Sequence, residues 1–290
     1  VLGWREDVEK LARDQMMAYY RKYYNPNNAS LVVVGDVSRE DVFRRAEKFF
    51  GSIPRGADAE PALAAEPPQD GERTVEVKTL LPADRMMVAF RTGPAGSDAD
   101  LTLDVISTIL GEGRTSRLQK RLVETEDLAG EGNVDVYNYS RKHEGVFYVQ
   151  AELVLDAPVE RAREVVAEEL EALASHPVEE RELRRAKNIL RARFAFEVES
   201  QYGFASKIGY FEALDLPDYV RDYMDRIEAI TPGQVQAQAR RTFTPRNRTV
   251  GIGRAPGKRG SGTESPEKRL RRAPMRGQSA PSLGDVHQVV

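Results

Sequence analysis

The chain has 290 residues, 40% of them hydrophobic, and a formal net charge of −3 at pH 7. The absence of cysteine excludes a disulfide framework, a thiolate nucleophile and a cysteine-based metal site. No window approaches the roughly 18 consecutive apolar residues of a membrane-spanning helix, so we expect no membrane span, and the sequence leaves the compartment, bacterial periplasm or cytoplasm, open.

Charge is distributed unevenly along the chain. Residues 254–290 carry eight Lys or Arg against three Asp or Glu, a net charge of +5, so the remaining residues carry −8. An acidic body argues against a nucleic-acid-binding domain. The basic segment 254–290 is also rich in Gly, Ser and Pro, and this composition predicts a disordered tail.

Residues 1–54 are predicted to be the C-terminal part of a domain. Apolar and aromatic residues at helical spacing predict a helix that ends at Asn25-Pro26. The short β-branched run Leu31 to Val34 predicts a buried strand, and Ser38 predicts the capped start of a second helix. Because a helix, a turn and one strand cannot close a core, we expect the other strands of this domain to lie before Val1.

Residues 55–73 lack periodicity and are rich in Pro, Gly and acidic side chains, which predicts a linker. We expect a second domain over residues 74–253. Near its start, alternating and apolar runs predict two strands, Thr74–Lys78 and Met86–Phe90. A helix follows, capped by Asp98 and ended by Gly111 and Gly113, and the next helix begins at Thr115 or Ser116.

The rest of the second domain passes from strands to helices. The pattern favours strands between Val134 and Leu155, helical apolar stripes as far as Phe243, and a last strand at Arg248–Gly253. Strands first, helices later and one closing strand predict an α+β fold. We expect two-layer α/β sandwich domains with a mostly antiparallel sheet and helices on one face.

No catalytic or metal-binding residue can be assigned from the sequence, and the substrate-binding residues stay unknown. His143 lies in a polar turn, His176 lies at a helix end before Pro177, and His287 lies in the basic tail, so no two histidines can share a metal on one helix face. The glutamates of the long helices lie three or four residues from arginines, which is typical of a solvated ion-pair surface.

Two sequence segments carry a family resemblance. The first runs from Gly3-Trp4 through Tyr19–Ala29 to Val34-Gly35-Asp36, and the second is Gly111-x-Gly-Arg-Thr-Ser-Arg-Leu118, with Ile230-Thr231-Pro232 as a weaker match. With these segments the chain resembles the pitrilysin/insulinase family of zinc metallopeptidases, whose motif is H-x-x-E-H. The resemblance implies two homologous α/β-sandwich domains that face each other across a cavity.

In that family the H-x-x-E-H helix and a later Glu bind zinc, and a peptide is cleaved inside the cavity. The resemblance therefore implies zinc in the full-length parent, none in this chain, and no activity of the chain alone. Many members also carry an Arg and a Tyr that bind the substrate backbone, and these positions fall at Val123 and Gly130. The missing pair implies a partner peptidase-like subunit or a fused second half that supplies it, with a peptide as substrate.

Two alternatives stay open at this point. The chain could belong to a non-catalytic structural or assembly subunit of the same fold, similar to the peptidase-like core proteins of respiratory complexes. A nucleic-acid binder that uses the basic tail is the weaker alternative, because the body is acidic.

Overall fold

The computed structural model describes residues 3–58 and 67–256. The predicted disorder of the tail therefore lies outside the described residues, apart from its first three positions. The helices are α1 Arg5–Glu9, α2 Arg13–Tyr23, α3 Arg39–Phe50, α4 Asp98–Gly111, α5 Val159–Ser175, α6 Glu180–Glu199, α7 Gln201–Ala213, α8 Tyr219–Glu228 and α9 Pro232–Thr242, with a π-helix at Gln119–Thr125. The strands are β1 Arg73–Lys78, β2 Arg85–Thr92, β3 Ala129–Tyr139, β4 Gly145–Leu153 and β5 Arg248–Arg254.

The five strands form one sheet in the order β1-β5-β2-β4-β3. The pairs β5–β2, β2–β4 and β4–β3 are antiparallel, and β1 runs parallel to β5. The closing strand β5 thus lies in the interior of the sheet, between the first two strands of the domain. The predicted α+β class and the mostly antiparallel sheet are confirmed.

Helices cover one face of the sheet. Alternate residues of the inner strands are buried beneath them, including Met86, Val88 and Phe90 of β2 and Val250 and Ile252 of β5. The helices bury their apolar stripes against this face, and Val105, Ile106 and Ile109 of α4 are fully buried, as are Val165, Val166 and Leu173 of α5. The side chains of both layers form one hydrophobic core.

Aromatic packing and a glycine fix the contact between the two layers. The ring of Phe243, just after α9, lies 5.0 Å from the rings of Phe90 and Phe147. At the end of α4, a Cβ atom on Gly111 would lie 2.6 Å from Val136 Cγ2, so the helix can approach β3 only because this residue has no side chain.

Residues 3–54 are mostly exposed. Helix α2 ends at Tyr23 as predicted, and the Asn25 amide donates to the carbonyls of Arg21 and Lys22. The prediction of a strand at Leu31–Val34 is wrong. A strand needs a neighbouring strand to pair its backbone groups. All five strands of the described ranges pair with one another in the single sheet described above.

The N-cap residue of α3 is the predicted one, and the N-cap residue of α4 lies one position before the predicted one. Ser38 accepts a hydrogen bond from Asp41 N and caps α3 as predicted. Helix α4 is capped by Ser97 and not by Asp98, because Ser97 Oγ accepts from Asp100 N while Asp98 already lies inside the helix.

In the described part of the chain, no helix combines the length and the apolar character that a bilayer crossing needs.

The fully buried Phe147 provides a test of this core. Phe147→Ala is expected to lower the free energy of unfolding by about 3–5 kcal/mol, because it removes a ring that packs against Phe243 and leaves a cavity. Phe196→Ala is the matched control: that ring is 75% exposed, so the change should stay within about 0.5 kcal/mol. Urea unfolding of the two variants measures the difference, and equal losses would contradict the described packing.

Candidate functional site

The face of the sheet opposite the helices carries no covering layer within the described residues. We call it the open face. The strand register places on it Val75 and Val77 of β1, Gly251 and Gly253 of β5, Arg85, Met87 and Ala89 of β2, Val146, Tyr148, Gln150 and Glu152 of β4, and Asp135, Tyr137 and Tyr139 of β3. Small and apolar side chains dominate the centre and the β1 side, and aromatic side chains dominate the β3 side.

Three tyrosines form the most distinctive part of the open face. Tyr137 and Tyr148 are paired across β3 and β4, with their ring centroids 5.4 Å apart. Tyr139 lies one row further, and the guanidinium of Arg141 lies 4.0 Å from its ring centroid. Burial raises the pKa of both Tyr137 and Tyr148, so their hydroxyls keep the proton at neutral pH and remain hydrogen-bond donors.

Ion pairs border the apolar centre at both ends. Arg85 of β2 pairs with Glu152 of β4 at 2.5 Å, and Arg91 at the other end of β2 pairs with Glu144 at 2.7 Å. The first pair joins neighbouring strands and the second joins β2 to the turn before β4, so these charges are already compensated. The part of the open face between the two pairs can contact aromatic rings, aliphatic side chains and neutral hydrogen-bonding groups of a ligand.

A polar cluster on the other side of β3 holds the strand that carries the tyrosines. The Asn138 amide Nδ2 donates to Asp100 Oδ1 at 2.8 Å and to Asp104 Oδ1 at 2.9 Å, and Ser140 Oγ donates to Asp100 Oδ1. Both aspartates lie on α4. Burial, together with the neighbouring Asp100 carboxylate, raises the pKa of Asp104 to about 7.

The two positions of the missing Arg and Tyr lie close to β3. Val123 lies in the π-helix, partly buried against the core. Gly130 lies at the start of β3, where the strand register is irregular up to Val134. Neither side chain can bind a peptide backbone by hydrogen bonds, since one is aliphatic and the other is a hydrogen atom.

Two of the three histidines lie within the described residues. His143 is exposed in the turn between β3 and β4, and His176 is the exposed C-cap residue of α5. His287 lies outside the described residues. Within 3–58 and 67–256, no group of three His, Cys, Asp or Glu side chains could hold a metal ion, so the residues present do not fit a zinc centre.

The three tyrosines of the open face were not predicted as a site. Their signal in the sequence is the alternation of two strands: in β3, Val134, Val136 and Asn138 point to the helices while Tyr137 and Tyr139 point away, and in β4 Tyr148 alternates with buried residues. Alternation alone does not say which face stays uncovered. What the open face can offer is a broad surface of donors, rings and apolar groups, which suits an extended polypeptide.

Comparisons with known proteins agree with this architecture. The family model of the peptidase M16 inactive domain matches residues 10–190. The zinc protease PqqE of Helicobacter pylori is 28% identical over 233 residues, which cover 77% of this chain and 52% of the relative. The chain thus spans about half the length of this relative.

Solved structures show the same fold at low sequence identity. The structure of a protease from Helicobacter pylori superposes with a TM-score of 0.81 at 24% identity, over 87% of this chain and 62% of that chain. A chain in the structure of Complex III2 from Candida albicans superposes with a TM-score of 0.71 at 18% identity, over 87% of this chain and 61% of that chain.

The Asp104 carboxyl predicts a specific pH dependence of stability. Its pKa of about 7 in the folded state lies above the roughly 3.9 of an unfolded Asp, so the native chain binds more protons between these values. This contribution to the free energy of unfolding is therefore present below about pH 4 and is lost as the pH rises through about 7. Asp104→Asn should be at least about 1 kcal/mol more stable than the wild type at pH 8, measured by urea unfolding.

The control for this prediction is Asp225→Asn, which changes an exposed carboxylate on α8. It should leave the difference between pH 5 and pH 8 unchanged. If Asp104→Asn also leaves that difference unchanged, the carboxyl does not titrate as described.

Proposed function

We propose that this chain, which belongs to the peptidase M16 family and matches its inactive domain, is the part of a zinc-dependent metalloendopeptidase that carries no metal. In this proposal a peptide is cleaved in a cavity between homologous domains, and the open face of this chain forms one wall of the cavity. The zinc and the residues that activate water belong to another part of the same protein or to a partner subunit.

The relatives support the division of labour. PqqE is named a zinc protease, and the chain matches 52% of its length, so about half of that relative has no counterpart here. The described residues offer no group that fits a metal ion. A zinc centre of the parent protein would therefore be built from residues other than those described, and no step of hydrolysis is assigned to this chain.

The open face is the observation that carries the proposal. A sheet face with exposed tyrosines, exposed valines and a Met87 side chain that is 37% exposed is costly to leave in water, and a bound segment or an opposing domain would cover it. The protonated hydroxyls of Tyr137 and Tyr148 can donate to peptide carbonyls. The face therefore supports binding of a peptide in an extended conformation.

The Arg and Tyr that many family members use to hold the peptide backbone are proposed to come from a partner peptidase-like subunit or from a fused second half. Val123 and Gly130 cannot supply these contacts. The parent would then share its active site between two M16 units, one with the zinc and one with the backbone-binding pair.

The zinc site proposed for the parent protein is tested by the coding sequence upstream of Val1. We expect the H-x-x-E-H motif of an inverted zincin, followed by a later Glu, within roughly the preceding 150 codons. Its absence would contradict the peptidase proposal and favour a non-catalytic structural or assembly subunit.

On the 290-residue chain itself, elemental analysis after dialysis should find far less than one zinc per molecule. Tightly held stoichiometric zinc would contradict the assignment of the metal to another part.

The open face is tested by Tyr137→Ala combined with Tyr148→Ala in the assembled peptidase. Cleavage of an internally quenched peptide should lose about tenfold in kcat/KM, mainly through KM, because the substitutions remove binding contacts that are present before the chemical step. Tyr202→Ala is the matched control, since that ring is 70% exposed on α7 and lies away from the sheet. Equal losses in control and double variant would remove the open face from the substrate path.

A further inference from the structure

A basic groove lies outside the sheet. It consists of two adjoining hollows. The first, of about 740 Å³, is lined by Thr115, Arg117, Lys120, Pro177, Glu179, Arg181, Glu182 and Arg185. The second, of about 440 Å³, is lined by Arg181, Arg184, Arg185, Asn188, Ile189 and Ala192, so the two share Arg181 and Arg185. Together they follow α6 from its first turn to its middle.

Cations outnumber carboxylates in this groove by five to two. Arg117 is compensated, because its Nε and Nη2 donate to the Glu182 carboxylate at 2.9 and 2.7 Å. Arg185 donates to the hydroxyl of Thr115. Lys120, Arg181 and Arg184 have no carboxylate within 4.0 Å among the described residues, although the body of the chain is acidic.

Three arginines on one helix face repel each other. Arg184 and Arg185 lie three and four residues after Arg181, the spacing at which like charges destabilise a helix. A groove with an excess of charges of one sign also concentrates ions of the opposite sign. A bound anionic group would relieve the repulsion, so the groove has the properties of a binding site and not only of a solvated surface.

The shape and the apolar residues define the class of ligand. From Arg181 to Ala192 the helix rises roughly 16 Å, enough for about five residues of extended polypeptide. Pro177, Ile189 and Ala192 also line the groove and can contact aliphatic side chains. None of the lining residues is aromatic, so the groove lacks the aromatic rings on which proteins commonly stack successive nucleic-acid bases.

We infer that the basic groove binds an acidic segment of a polypeptide, with Lys120, Arg181 and Arg184 contacting its carboxylates. The binding is a property of this chain and does not depend on the proposed peptidase. It differs from the open face in its chemistry, since the open face carries aromatic and apolar side chains while the groove carries uncompensated cations.

The test uses the 290-residue chain and fluorescence anisotropy of a labelled 12-residue peptide in which Glu and Asp alternate with Leu and Val. Saturable binding is expected, and it should weaken between about 0.05 M and about 0.3 M salt because the contacts are ionic. Combining Lys120→Gln, Arg181→Gln and Arg184→Gln should weaken binding about tenfold or more. None of the three side chains has an ion-pair partner in the described chain, so the fold should persist, and circular dichroism checks this.

The control combines Arg45→Gln, Lys78→Gln and Arg241→Gln, which removes the same charge at exposed positions that do not line the groove. It should change the affinity by less than about twofold. Equal weakening in both triple variants would show non-specific attraction and overturn the inference. Binding to the basic segment 254–290 would survive the groove substitutions and would overturn it as well.

Two competitors complete the design. A peptide with Lys in place of every Glu and Asp should not displace the labelled peptide. Inorganic triphosphate or a single-stranded oligonucleotide that binds more tightly than the acidic peptide, and loses that binding in the groove variant, would assign the groove to phosphate and contradict the polypeptide ligand.

Discussion

Every second side chain of β2 and β4 is buried beneath helices, and this alternation determines the register of the whole sheet. A slip of one residue would turn Phe90 and Phe147 to the open face and bring Arg91 and Tyr148 into the core. The cost of burying those polar groups is far larger than the small preferences of individual strand residues. The position of each open-face side chain therefore follows from the packing of the opposite face.

The same constraint explains why β3 needs support from outside the sheet. It is an edge strand, and its register is irregular between Ala129 and Val134, so hydrogen bonds to β4 alone hold it on one side only. The amide of Asn138 reaches across to two carboxylates of α4, and Tyr210 of α7 lies 3.5 Å from the carbonyl of Ser140. These contacts hold the end of the strand at which Tyr137 and Tyr139 are exposed.

The sequence predicts the elements whose patterns are local and fails where a distant partner decides. Alternation, an apolar run and a capping residue predict β1, β2 and the start of α3 closely, because each depends on a few neighbouring residues. The run Leu31–Val34 has the composition of a buried strand but no strand beside it in the described chain. Similarly, the pattern of β3 predicts which tyrosines share a face, but only the placement of the helices decides that this face stays open.

The ion pairs also depend on tertiary structure that sequence spacing does not predict. The sequence predicts glutamates and arginines paired within helices, whereas Arg117 binds Glu182 of α6, and Arg121 binds Glu168 and Glu169 of α5. These contacts join different elements and engage Glu168, Glu169 and Glu182. The helix arginines left over are therefore a consequence of tertiary structure that no spacing rule could reveal.

Two adjacent cations of the π-helix have different surroundings. Arg121 binds the glutamates of α5, whereas Lys120 lines the basic groove. Successive side chains of a helix point in different directions, so neighbouring residues can face different elements. At the end of the π-helix the N–H of Glu126 donates to the carbonyl of Arg121, and the Glu126 carboxylate binds both Arg121 and Arg161. Arg121, Glu126 and Arg161 thus belong to one ion-pair network, while Lys120 has no carboxylate within 4.0 Å among the described residues.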